Sequence, residues 1–110
     1  MIEEDLYTAL KSVVENVYPI IMPDDCTFPV ITYQVVFDGA NQSTNGKVMS
    51  RNVRFQVDIY SKSYLETKIL KEKVIKKVVE LRGGSISAQD LYEDQINLYR
   101  ELIDFKIRRT

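Results

Sequence analysis

The stretch VRFQVDIYSKSYLETKILKEKV, residues 53–74, changes its hydrophobic period at YSKSY, residues 60–64. Before that point Val53, Phe55, Val57 and Ile59 alternate with Arg54, Gln56, Asp58 and Tyr60, the two-residue period of a strand with one face turned inward. After it Leu70, Val74, Val78 and Leu81, with Ile75 and Val79, recur at helical steps, while Lys73, Lys76, Lys77 and Glu80 lie opposite. Ser61 or Ser63 supplies the cap, and Ser63 with Glu66 has capping-box spacing. Gly83–Gly84 is expected to stop the helix, because glycine accepts the left-handed conformation after a last helical turn. A strand running straight into a helix sets the class as α+β.

Working upstream, FPVITYQVVF (28–37) also alternates, with Ile31, Tyr33, Val35 and Phe37 on the inward face and Thr32 and Gln34 on the other. DGANQSTNGKVMS (38–50) between the two strands is polar and contains Asn45–Gly46, so it reads as a loop or flexible hairpin tip. Ile2, Leu6, Ala9, Leu10, Val13, Val14 and Val17 predict an amphipathic N-terminal helix ended by Pro19. Ile20–Met22, flanked by two prolines, is a candidate edge strand. Downstream, DLYEDQINLYRELIDFKI offers Tyr92, Ile96, Tyr99 and Ile103 at helical spacing. Its second half alternates Tyr99, Ile103, Phe105 and Ile107 against Arg100, Asp104, Lys106 and Arg108, and β-branched and aromatic residues favour a second hairpin. The expected order is α-β-β-α-β-β, an antiparallel sheet of two hairpins with two helices packed against it. Residues 1–110 form a single domain.

The totals exclude several kinds of chemistry. The chain has no histidine, so the Ser-His-Asp and Cys-His arrangements are impossible and the commonest metal ligand is missing. A single cysteine, Cys26, cannot form an internal disulfide or a cysteine-based zinc site, and it reads as a small buried hydrophobe beside Phe28. Asp24–Asp25 and Asp58 are the carboxylates one would test for cation binding or acid chemistry; solvated loop acids and an outward strand residue are the better reading. No enzyme activity and no cofactor is expected. The opening MIEEDLYTAL lacks the basic region and apolar run of a secretory signal, and no apolar stretch approaches a membrane span, so a cytosolic protein is expected.

Net charge is −1, but it is unevenly spread. Residues 1–25 hold six acids (Glu3, Glu4, Asp5, Glu15, Asp24, Asp25) against Lys11, net −5. Residues 64–85 hold six bases against three acids, net +3. The lysine face admits a nucleic-acid reading, against a solvated helix face or a protein interface, to which Tyr60 and Tyr64 are also suited.

Taken together, the N-terminal amphipathic helix, the Pro-flanked segment, FPVITYQVV, the polar loop, the 53–74 junction and the terminal LYRELIDFKI resemble one family. It is that of the tail-completion proteins of long-tailed phages and prophages, also described as tail terminators or head–tail joining proteins. The most specific residues are Val57-Asp58-Ile59-Tyr60-Ser61 with Tyr64 and Glu66, then Leu98-Tyr99-Arg100 and Asp104-Phe105. The resemblance implies a non-catalytic subunit of a hexameric ring that caps the head-proximal end of the tail tube or joins it to the head. Its implied partners are copies of itself, the tail-tube protein and head connector proteins. No membrane is involved, and nucleic acid enters only as DNA passing through the ring lumen. Its implied location is the bacterial host cytoplasm during assembly, then the virion. The tip ANQSTNG carries no family signature, so Asn41, Gln42, Thr44, Asn45 and Lys47 are interaction candidates on length and polarity alone. Glu3, Glu4 and Asp5, facing Lys73, Lys76 and Lys77 of a neighbouring subunit, are the other candidates, since a ring needs unlike surfaces. The alternatives are a host-encoded α+β adaptor and a nucleic-acid-binding module using the lysine face.

Overall fold

The computed structural model describes residues 2–42 and 48–109, with no account of the side chains of 41, 42, 48 and 49. Two helices and five strands follow the order α1 (Ile2–Lys11), β1 (Asn16–Pro19), β2 (Val30–Gln42), β3 (Val48–Ser61), α2 (Tyr64–Glu80), β4 (Gly83–Glu93), β5 (Leu98–Arg109). One sheet carries all five strands in the order β1-β2-β3-β5-β4. The α+β class and the two hairpins match expectation. The purely antiparallel sheet does not, because β1 is a fifth strand that pairs parallel to β2, Asn16 opposite Val30 through Pro19 opposite Tyr33.

The sheet is covered on one face only. Val53, Phe55, Val57 and Ile59 of β3 stand opposite Ile107, Phe105, Ile103 and Glu101 of β5, and both helices lie over this face. Ile2, Leu6 and Leu10 of α1 and Leu70, Val74 and Val78 of α2 complete a single core, with Phe55 and Phe105 stacked at 5.6 Å between centroids. Complete burial of such side chains contributes about 1.5–3 kcal/mol each.

The strand-to-helix junction uses both of its serines. Ser63 is the N-cap, its Oγ accepting from the Glu66 amide at 3.3 Å. Ser61 Oγ accepts from the Ser63 amide at 3.0 Å and donates to the Glu66 carboxylate, so the last residue of the strand holds both the cap residue and the first turn of the helix. At the other end Leu81 caps α2 and Arg82 takes the left-handed conformation at φ 65°. Gly83 is therefore not the helix stop that was expected but the first residue of β4. A Cβ there would lie 2.3 Å from Val78 Cγ1, so glycine is required by the close approach of β4 to the helix.

Three further expectations are corrected. α1 ends at Lys11, where Ser12 Oγ bonds back to the Ala9 carbonyl at 2.5 Å; Val14 and Val17 reach the core from a turn and from β1, not from a longer helix. Ile20–Met22 is not a strand: Ile20 turns at φ 67° and Ile20 and Ile21 are exposed. Of residues 38–50, expected as a loop or hairpin tip, 43–47 lie outside the described residues, and 38–42 and 48–50 belong to the ladder, with Asp38 opposite Val53 and Asn41 opposite Ser50. Because the β2–β3 ladder runs on past the helices, the molecule is elongated, 52 × 25 × 23 Å.

Candidate assembly surfaces

The uncovered face of the sheet is polar, and it is held by ion pairs. Arg54 grips Asp104 through two bonds of 2.8 Å, the bidentate geometry that suits guanidinium and carboxylate. Arg100 Nε donates to Asp58 at 3.0 Å, another of its nitrogens donates to Glu93 at 2.8 Å, and the guanidinium lies over the Tyr60 ring. Gln56 donates to the second Asp58 oxygen at 3.1 Å. Asp58, expected as an outward residue, does lie on this face but is buried there by these partners. With both its oxygens occupied by donors of its own sheet, it is a structural acid.

A second polar cluster sits under the start of α2. Glu101 occupies an inward position of β5 directly opposite Asp90 of β4, and it is only 2% exposed. Lys68 of α2 bridges the two carboxylates, and Tyr64 Oη donates to Asp90 at 3.0 Å. Burial and the neighbouring Asp90 push the Glu101 carboxyl above the usual carboxylate range. Asp90 is held well below it by hydrogen bonds from Glu101, Lys68 and Tyr64. The rings of Tyr64 and Tyr92 both pack edge-on against Tyr99, so this end of α2 is fixed to the sheet by polar and aromatic contacts together.

The candidate charges are partly engaged within the chain. Asp5 accepts from Arg109 at 2.6 Å, and that bond lowers its pKa. Lys77 lies 3.6 Å from Glu80, and both share a shallow concavity with Asp5 and Thr8, so the acidic α1 and the basic α2 are neighbours within one chain. Lys73 and Lys76 are exposed and, among the described residues, have no ion pair. Glu4 is exposed, whereas Glu3 is half-buried with a carboxylate oxygen that has no hydrogen-bond partner among the described residues. Asn41 and Gln42 end β2; Thr44, Asn45 and Lys47 lie outside the described residues.

Sequence reasoning missed the exposed apolar run Val35-Val36-Phe37, at 43, 50 and 61% exposure. Val35 and Phe37 were placed in the core, but the register shifts between Val35 and Phe37, which leaves Val36 as a bulge and turns Phe37 to the face of Arg54. The signal was present as three consecutive apolar residues beside a polar segment. Cys26 is half-buried beside Phe28 and Lys62. Among the described residues no three His, Cys, Asp or Glu side chains converge as a metal site, and no helix is long and apolar enough to cross a membrane.

No protein-family model matches the chain, and no curated protein matches it significantly. Among solved structures, a chain from the virion of a native gene transfer agent particle superposes with a TM-score of 0.63 at 12% identity. The match covers 97% of this chain and 90% of that one, so the two share one fold over nearly their whole lengths.

Proposed function

We propose that this chain is a structural subunit of a phage or phage-like particle, forming a ring, hexameric in its family, that completes the tail at its head-proximal end. The observation that carries the reading is the near-complete mutual coverage with a virion chain, joined to the resemblance of residues 53–74 and 98–107 to tail-completion proteins. The surfaces support it. The polar groups that enzymes use are here tied to one another: Asp58 to Arg100, Asp104 to Arg54, Asp90 to Lys68. What remains exposed is an extended two-stranded arm and an apolar run on it, features suited to contact with other proteins. The subunit works without catalysis or cofactor, assembles in the host cytoplasm, and meets the tail-tube protein on one side and head connector proteins on the other, with DNA passing through the lumen.

The test is sedimentation of the purified chain, alone and with purified tail tubes. Association into a closed ring that caps tube ends and stops their elongation is the expected result. A chain that remains monomeric and leaves tube polymerisation unchanged would refute the reading.

A further inference from the structure

The sheet order leaves two unlike open margins. On one side β1 covers β2 only from Val30 to Tyr33, and the Ile20 amide donating to the Tyr33 carbonyl at 2.9 Å closes that coverage. From Gln34 to Gln42, among the described residues, no strand pairs with β2 on the side away from β3. On the opposite margin β4, Gly83–Glu93, pairs among the described residues only with β5.

Neither margin bears the lysines or prolines that commonly keep an edge unpaired, although each carries one bulge, between Val35 and Phe37 in β2 and between Gly84 and Ser87 in β4. Strand edges that must stay unpaired bear lysines, prolines or outward charges, and β1 does end in Pro19. Gln34–Ala40 and Gly83–Glu93 contain no Lys, Arg or Pro. Their acids are all turned to partners of the same chain: Asp38 to Arg51, Asp90 to Lys68, Glu93 to Arg100. At the β2 margin Val35, Val36 and Phe37 are exposed.

We infer that the open β2 edge of one copy receives the β4 edge of the next, so that the sheet continues from subunit to subunit. This rests on the ring reading above and names its contact. Strand polarity allows it. β2, β3, β5 and β4 alternate in direction, so β4 of a like-oriented neighbour runs antiparallel to β2. The levels agree as well. Across the sheet Gln34 aligns with Gln56, Asp104 and Ser87, and Asp38 aligns with Val53, Ile107 and Gly83. An unstaggered neighbour thus sets Gly83–Ser87 alongside Gln34–Asp38, and its β4 leaves the edge after Ser87, because Ala88–Leu91 are level with Tyr33–Val30, which β1 covers. The contact is heterologous, as a closed ring requires.

Charge fixes the same pairing. On the covered side, beside β2, Glu3 and Glu4 line a concavity with Tyr7, Pro19 and Tyr33, and one Glu3 oxygen is buried without a partner among the described residues. Just before β4, Arg82 is exposed and lines a concavity with Arg108. Gly83 is level with Asp38, so the neighbour's β4 brings Arg82 to the end of the sheet where Glu3 lies. The acidic patch therefore meets Arg82, and not the Lys73–Lys76–Lys77 face considered from the sequence.

The test uses disulfide trapping in a Cys26→Ser chain carrying Gln34→Cys with Ser87→Cys. Within one chain these positions are three strand spacings apart, about 14 Å, beyond the ~7 Å limit for a bridge, so any bond links two copies. Oxidation with copper phenanthroline should give a ladder of covalent multimers, and each single-cysteine chain should stop at trace dimer. Gln89→Cys in place of Ser87→Cys tests a two-residue slip. If Gln34→Cys alone gives dimer in high yield, β2 pairs with β2 and the inference is overturned. If the wild type forms rings by sedimentation but neither double-cysteine chain gives a ladder, the edge pairing is wrong and the ring stands. If nothing exceeds monomer even with tail tubes, both fall. Glu3→Arg or Arg82→Glu alone should lower ladder yield several-fold, and the two together should restore it; a further loss in the double reversal overturns the Glu3–Arg82 alignment.

Discussion

Replacing Gly83 by alanine adds one methyl group and is expected to destabilise the fold substantially. The new Cβ would sit 2.3 Å from Val78 Cγ1 and 3.0 Å from the Val78 carbonyl oxygen. Val78 is fully buried on α2, and the carbonyl belongs to the helix backbone, so neither neighbour can swing aside. Overpacking of this kind costs about 1–3 kcal/mol. A loss near 2 kcal/mol lowers the melting midpoint by roughly 8 °C in a domain of this size. Val78→Ala alone removes two buried methyl groups, costing about 2 kcal/mol with its cavity. In the double variant the alanine methyl enters the vacated space, so the combined loss should fall short of the sum by about 1–2 kcal/mol. Rescue is partial, because the contact with the carbonyl remains. Urea unfolding followed by far-ultraviolet circular dichroism measures all four chains of the cycle. A Gly83→Ala chain within about 0.5 kcal/mol of wild type, or strictly additive losses, would show that the strand does not approach the helix as described.

The Glu101 carboxyl has a folded pKa above its ordinary 4.5, so its contribution to stability is present below pH 4.5 and is lost as pH rises through the raised value. Asp90 has the opposite sign: its contribution is present above pH 3.8 and is lost as pH falls toward its lowered value. Glu101→Gln should flatten the alkaline-side decline in thermal midpoint, and an unchanged pH profile would exclude Glu101 as its source. Arg100→Met leaves Asp58 buried with only Gln56 beside it and should cost about 2–4 kcal/mol, measurable by the same urea titration; a neutral result would mean that Asp58 is hydrated. Val57→Asp places a charge in the core beneath the helices and should cost several kcal/mol, about 4, enough to leave little native signal. Reversing Lys73, Lys76 and Lys77 to glutamate should leave the fold intact by circular dichroism, and normal ring assembly by that chain at low salt would identify the lysine face as solvated surface.

Most of the fold was legible at the 53–74 junction, because the two-residue and helical periods there each act over a whole element. Ser63 and Glu66 announced the helix start correctly, and the alternation of residues 99–107 favoured the second hairpin. The errors share one physical origin: local pattern records apolar character but not what covers it. Val13, Val14 and Val17 continue a helical spacing, yet a turn and a parallel strand deliver Val14 and Val17 to the same core. Val35 and Phe37 keep the alternation in sequence, but the bulge at Val36 breaks it in the ladder and turns Phe37 to the face of Arg54, and Val35 lies in the open-edge segment of β2, so both are exposed. The parallel β1–β2 pairing joins residues 14 apart through an irregular segment that bears no signal of pairing. The buried Glu101 was visible as a break in the inward series Tyr99, Ile103, Phe105; its partners Lys68 and Asp90 were not, because they come from separate elements.

The placement of β5 has a consequence for how the subunit is made. Among the described elements it comes after all the others in chain order, yet it lies inside the sheet, bonded to β3 on one side and β4 on the other. While a ribosome is still adding residues before Leu98, β3 lacks its second neighbour, and Val53, Phe55 and Val57 lack the facing Ile107, Phe105 and Ile103. Closing the sheet also joins strands separated by all of α2, a long-range step that tends to be slow. A polypeptide stopped short of β5 therefore lacks Ile103, Phe105 and Ile107 in the core and leaves one edge of β3 open. Synthesis itself becomes a checkpoint: prematurely terminated products expose apolar surface and are left to proteases.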